Sequence, residues 1–252
     1  MLKFQKWIDY QMVNKYRNIK QNLKSICLLV TLFSVSTLVS SASLSSFKPS
    51  FSSIENTVVR KEVFFNYLLP VIYQKNVEII ALRNSILNNE LSASELDKLA
   101  KKYRIEKPTS KEDLLLVIDI LPPSLVLAQA ANESNWGRSR FAEDFNNYFG
   151  IWCFKKGCGV VPNKRDKDSS HEVASFKSLK DCIDYYVLNI NRSYAYEDLR
   201  LLRKEQREDS NAITGILLAD GLANYAYPGN EYIDSIKSVI QYNQLERYDF
   251  FN

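Results

Sequence analysis

The stretch from Leu127 to Ala142, LAQAANESNWGRSRFA, sets one carboxylate, Glu133, at the end of an apolar, small-residue run. Leu125, Val126, Leu127, Ala128, Ala130 and Ala131 predict a buried helix, and Gly137 supplies a left-handed residue of the kind that commonly ends one. A carboxyl group at that point stands at a cleft, half in the core and half out. Burial among apolar neighbours disfavours its charged form and raises its pKa, as a general acid needs if it is to protonate a leaving group near neutral pH. A helix-end carboxylate can equally serve as a cap or an ion-pair partner, and spacing alone leaves both uses open. Gln129, one turn earlier on the same face, is a candidate support for its orientation.

A second group of reactive side chains lies in WCFKKGCG, where Cys153 and Cys158 flank a turn supplied by Gly157 and Gly159. In an oxidising compartment the pair can clip a short loop. A disulfide or two reduced thiols fit better than zinc, because a metal site needs more ligands and His171 is the only histidine in the chain. No metal site is therefore expected. Nor is a cofactor, since no Walker, Rossmann or clustered-histidine pattern occurs. Cys182 falls on the core face of a predicted helix and reads as a small hydrophobe.

Several elements must position these residues. The segment KEVFFNYLLPVIYQKNVEIIALRNSIL repeats apolar residues at helical spacing, with Phe64, Leu68 and Ile72 on one stripe and Val77, Ile80 and Leu87 continuing it. Pro70 is expected to kink or divide that helix. Ser92 with Glu95 forms a capping-box pattern ahead of Leu96, Leu99 and Tyr103, and Ser110 to Asp113 opens a further helix. Pro122, Pro123 and Ser124 mark the start of the helix that carries Glu133. From Ile151 to Phe176 the period changes, and two short strands joined by a hairpin are expected, the second being HEVASF. Alternation along it puts Glu172 on the face opposite His171 and Val173, one face toward the groove and the other toward solvent. Helix resumes after Ser178, and SNAITGILLADG and EYIDSIKSVI suggest two more.

With 252 residues, 46% of them hydrophobic, the chain can bury one substantial core. Its net charge of +4 is concentrated at the amino terminus: residues 1–25 carry +5, leaving about -1 for the rest. That distribution excludes a nucleic-acid footprint on the folded region. Directly after the cations comes the uncharged run Ile26 to Val39, followed by SSAS, which reads as an export signal. Cleavage after Ala42 and retention as an anchor to about Phe47 are both compatible with it. The organisation expected is a signal peptide or membrane anchor over 1–47, a helical amino-terminal region over 48–120, and a domain carrying the chemistry over 121–250.

The residues from Leu121 to Arg203 resemble the glucosaminidase domain of glycoside hydrolase family 73, in particular its Bax-type subgroup. PPSLVLAQAANESNWGRSRFA resembles the family's helix ending in E-S-x-W-G, NNYFGIW its N-x-F-G-I segment, and HEVASFKSLKDCIDYYVLNI its hairpin strand and following helix. WCFKKGCG, LANYAYPGNEY and KEVFFNYLLPVIYQKN resemble the subgroup. The resemblance implies a mainly α (α+β) lysozyme-like fold with a small β-hairpin lobe. It also implies hydrolysis of peptidoglycan on the reducing side of N-acetylglucosamine, with Glu133 as catalytic acid. By the same resemblance Glu172 is the second, hairpin glutamate and Tyr225 a tyrosine lining the cleft beside the acid, while Asn147 and Phe149 belong to the sugar-binding groove. Trp136 is either a groove residue or core beside the helix end, and Tyr148 and Tyr194 are further groove candidates. Whether Glu172 or the sugar's own acetamido group assists Glu133 is left open.

The partners expected are peptidoglycan glycan strands, with no nucleic acid and with the membrane met only through the amino-terminal segment. A monomer is favoured, working in a periplasm, free or anchored to the inner membrane. Two other functions compete. One is a lytic transglycosylase, which closes a ring on N-acetylmuramic acid instead of adding water; the other is a non-catalytic wall-binding scaffold.

Overall fold

The computed structural model describes residues 48–106, 110–162, 170–209 and 212–249. The leader read over 1–47, and most of the turn NKRDKDSS, lie outside the described residues. Among those described, no helix is long and apolar enough to cross a membrane.

Helix α1, Thr57–Leu87, starts where the Asn56 side chain accepts from the backbone amides of Val58 and Val59. It runs unbroken through Pro70, so the expected division does not occur. Its buried stripe is Phe64, Leu68, Ile72, Asn76, Ile79 and Ile86, whereas Val77 and Leu87 are exposed. Steps of three and four from Ile72 arrive at Asn76 and Ile79, and the polar Asn76 disguises that course in the sequence. Its amide donates to the Leu121 carbonyl at 2.8 Å and accepts from the Leu121 amide at 3.3 Å.

Helices α2, Ala93–Tyr103, and α3, Lys111–Val117, both open on reciprocal capping boxes, Ser92 with Glu95 and Ser110 with Asp113. Helix α4, Pro123–Ser134, is buried from Pro123 through Ala131. No side chain of its own first turn caps it. Asp249, more than a hundred residues away, does so instead, accepting from the Ser124 amide at 2.8 Å and its hydroxyl at 2.6 Å, and from the Gly215 amide at 3.0 Å. Helix α5, Arg140–Phe145, follows.

Among the described residues the β lobe has three strands rather than the two expected. Strand β3, Glu172–Ala174, runs between β1, Trp152–Cys153, and β2, Gly159–Val160, antiparallel to both. Strand β1 is two residues long and carries no alternation that a sequence reading can find. Helices α6, Leu179–Arg192, α7, Glu197–Glu208, α8, Gly215–Leu218, and α9, Gly229–Tyr242, complete the fold. Sequence reading passed over α7, whose outward face is strongly charged and whose buried side includes Leu199, Arg200 and Arg203. Helices α1 and α9 both pack on α4, and one hydrophobic core takes in residues from Phe51 to Leu245. The molecule is mainly α with a small β lobe.

Candidate active site

Helix α4 ends one residue after Glu133. Asn135 is its left-handed cap at φ 50°, and Trp136 at 59° and Gly137 at 80° continue the positive run. The stop thus comes two residues before the glycine to which it is assigned from sequence. Gly137 has its own reason to be glycine: a Cβ there would meet the Phe51 ring at 2.4 Å. The effect is to end the helix abruptly and leave the Glu133 carboxyl half-buried at the mouth of a groove.

The groove, about 660 Å³, runs between the helical part and the β lobe. Glu133, Phe149, Gly150, Trp152, Tyr186, Tyr196 and Tyr225 are among its lining residues. Among the described residues Glu133 is the one carboxylate in that lining, and Arg104 and Lys155 are its cations. Burial raises the Glu133 pKa above its ordinary value, and hydrogen bonding from Tyr232 and Asn132 partly offsets the rise. The Asn132 amide donates to Oε1 at 3.4 Å. Gly150, at φ 62°, brings backbone alongside the acid, so that a Cβ placed on it would lie 3.7 Å from Oε2.

Around Glu133 stand four phenols. Burial raises the pKa of Tyr186, Tyr196, Tyr225 and Tyr232 alike, so each remains a neutral hydroxyl through the physiological range. Tyr225 stacks on Tyr232, ring centroids 5.1 Å apart, and its hydroxyl donates to the Phe149 carbonyl at 3.1 Å. Phe149 stacks on Tyr186 at 3.9 Å. These contacts lock the floor of the groove to helices α6 and α9.

Of the residues singled out in the sequence, Glu133, Phe149, Tyr225 and Cys153 line one groove. Others lie elsewhere. Gln129 is fully buried and bonded to two tyrosines, so it does not touch substrate from where it lies. Asn147 is also buried, with every polar valence taken: it donates to the carbonyls of Ile151 and Ala174, both at 2.9 Å, and accepts from the amides of Phe149 and Ile151. It pins the NNYFGIW turn to β3. Trp136 packs edge-on against Phe64 and Phe65, with Lys61 over its face, which makes it core. Tyr148 is core as well, and the exposed Tyr194 is not part of the lining.

Cys153 and Cys158 form a disulfide that closes the loop between β1 and β2. Glu172 is buried beneath that loop: its Oε1 accepts from the Gly157 amide at 3.0 Å and its Oε2 from the Gly159 amide at 2.9 Å. Its carboxylate therefore faces neither groove nor solvent, the two choices that strand alternation offered. Cys153, Cys158 and Glu172 lie close enough together for a metal, but the two sulfurs are bonded to each other. His171 stacks at 3.9 Å on Trp152, which lines the groove.

Tyr186 and Tyr232 escaped notice in the sequence because each sits on the apolar stripe of an amphipathic helix, beside Ile183 and Val187 or Ile233 and Ile236, where an aromatic reads as core.

Residues 114–245 match the family model described as mannosyl-glycoprotein endo-beta-N-acetylglucosaminidase. Protein bax of Escherichia coli (strain K12) is 29% identical over 212 residues, covering 79% of this chain and 76% of that protein. The crystal structure of the catalytic domain of the autolysin Auto from Listeria monocytogenes aligns over 78% of this chain and 91% of that one, at 20% identity and a TM-score of 0.45.

Proposed function

As the chain belongs to the mannosyl-glycoprotein endo-β-N-acetylglucosaminidase family and is a glycoside hydrolase, we propose that it cleaves peptidoglycan glycan strands after N-acetylglucosamine, with Glu133 as general acid. The observation that carries this reading is a half-buried carboxyl of raised pKa at a helix end, the one acid among the described residues lining a groove between helices and β lobe. Glu133 protonates the glycosidic oxygen as the bond to the anomeric carbon breaks, a contribution typically of roughly 100- to 10,000-fold in rate.

A glycosidase also needs a group on the other side of the anomeric carbon. Glu172 is engaged by two loop amides, which favours the substrate's own 2-acetamido oxygen as nucleophile. Its attack forms a cyclic oxazolinium as the leaving sugar departs with the proton from Glu133. Water then opens that ring at the anomeric carbon and returns a proton to the Glu133 carboxylate, so that both the enzyme and the acetamido group are regenerated. Tyr225 acts in this scheme through the groove floor that it holds at Phe149.

Export through the basic, apolar leader would put the enzyme in a periplasm, where its substrate lies. A folded domain protected from protease in spheroplasts until the inner membrane is lysed would contradict that location. For the activity itself, purified protein should solubilise peptidoglycan sacculi and Glu133→Gln should not; equal clearing by both would remove Glu133 from the reaction.

A further inference from the structure

Beneath the acid lies a chain of polar side chains that a simple packing role leaves unexplained. Gln129, one turn before Glu133 on α4, is fully buried. Its carbonyl accepts from the Tyr186 hydroxyl, and its Nε2 donates to the Tyr232 oxygen at 2.9 Å. The Tyr232 hydroxyl in turn interacts with the Glu133 carboxyl.

A phenol has one proton to give. Were the Gln129 amide reversed, Tyr232 would spend that proton on Gln129 and could only accept from a protonated Glu133. With Nε2 facing Tyr232, its oxygen is already an acceptor and its proton is free for Glu133. We propose that Gln129 is a positioning residue for Glu133, acting through Tyr232: held at its carbonyl by Tyr186, its amide directs the Tyr232 proton onto the acid. The consequence is specific to the reaction. A donor aimed at the carboxyl stabilises its ionised form, which is the form produced as the proton moves to the leaving group. The other titratable groups facing Glu133 are Tyr186 on α6, the neighbouring Tyr196, and Tyr225, with the cations Arg104 and Lys155 on the groove lining. All of the phenols are neutral near pH 7, so none competes with Tyr232 by carrying charge.

This inference rests on Glu133 being the acid, and its test separates the two. In Gln129→Met the side chain keeps its length and loses both polar ends. The high-pH limb of kcat/KM, which reports loss of the acid's proton, should move to higher pH, and kcat should fall roughly 3- to 10-fold, the worth of one neutral hydrogen bond. In a Tyr232→Phe background the same substitution should leave the limb where Tyr232→Phe alone puts it. Carbon-13 NMR titration of the Glu133 carboxyl reads the same shift without turnover. A limb that stays put in an active Gln129→Met enzyme, or that moves equally in both backgrounds, overturns the proposal, since a purely structural glutamine would lower activity at every pH. If Gln129→Met does not fold, Tyr186→Phe frees the Gln129 carbonyl and carries the test, with a smaller upward movement expected and none overturning it. A wild-type protein that cleaves nothing would refute the hydrolase reading, while the NMR titration would still decide the relay.

Discussion

On the helical wall of the groove a glutamate stands among phenol rings at an abrupt helix end; on the sheet wall another lies under a disulfide-closed loop, held by two backbone amides. The first carboxyl is half-buried among the phenols and lines the groove. The second has both oxygens engaged by the Gly157 and Gly159 amides and is absent from the lining. One residue type thus meets two surroundings: burial that raises its pKa in one case, and two backbone donors that tie it to a loop in the other.

The largest effect expected from breaking this contrast is that of Glu133→Gln, which should lower peptidoglycan cleavage roughly 100- to 10,000-fold in a muropeptide-release assay. The same substitution tests the electrostatics. A carboxyl whose folded pKa is raised binds its proton more tightly in the native state. Stability therefore falls as pH rises from the ordinary carboxyl range through the folded value. Above that window Glu133→Gln should be more stable than the wild type in thermal unfolding, and below it the two should converge. Activity follows the same titration, declining as pH rises through the Glu133 value.

Next in size is the loop. Replacing Cys153 and Cys158 by serine releases a closure over a sequence separation of 5, worth on the order of 2 kcal/mol by chain entropy. The loss should appear as faster proteolysis within the β lobe while the helical core keeps its amide protection. Glu172→Gln should cost about 1 kcal/mol, because one of its two amide donors then meets an NH₂ group. Its effect on turnover should be far below that of Glu133→Gln. A loss of turnover matching Glu133→Gln would make Glu172 the base and dissolve the contrast between the walls. The smallest change expected is that of Tyr225→Phe, which removes one bond to the Phe149 carbonyl and should lower stability by about 1 kcal/mol with a modest rise in KM.

The two walls also differ in how far they can be read from the chain alone. The helix of Glu133, the two capping boxes and the Ser178 start of α6 depend on residues within four positions of one another, and those signals are local. The cap of α4 by Asp249 and the Asn76 clasp on Leu121 join residues 125 and 45 positions apart, and no spacing rule reaches that far. Asn147 carries a side chain suited to reading sugars, yet its hydrogen bonds are consumed inside the fold, and the partners of Gln129, Tyr186 and Tyr232, lie 57 and 103 positions away from it. Trp136 and Glu172 likewise took their places from partners distant in sequence, Phe64 and Phe65 for the one and the disulfide loop for the other.

Mass analysis of the products of purified peptidoglycan tests the central assignment most directly, because it reports activity and bond choice together. Fragments ending in reducing N-acetylglucosamine, formed by the wild type and absent with Glu133→Gln, are the predicted result; fragments ending in anhydro-muramic acid, or the same products from both proteins, would contradict it.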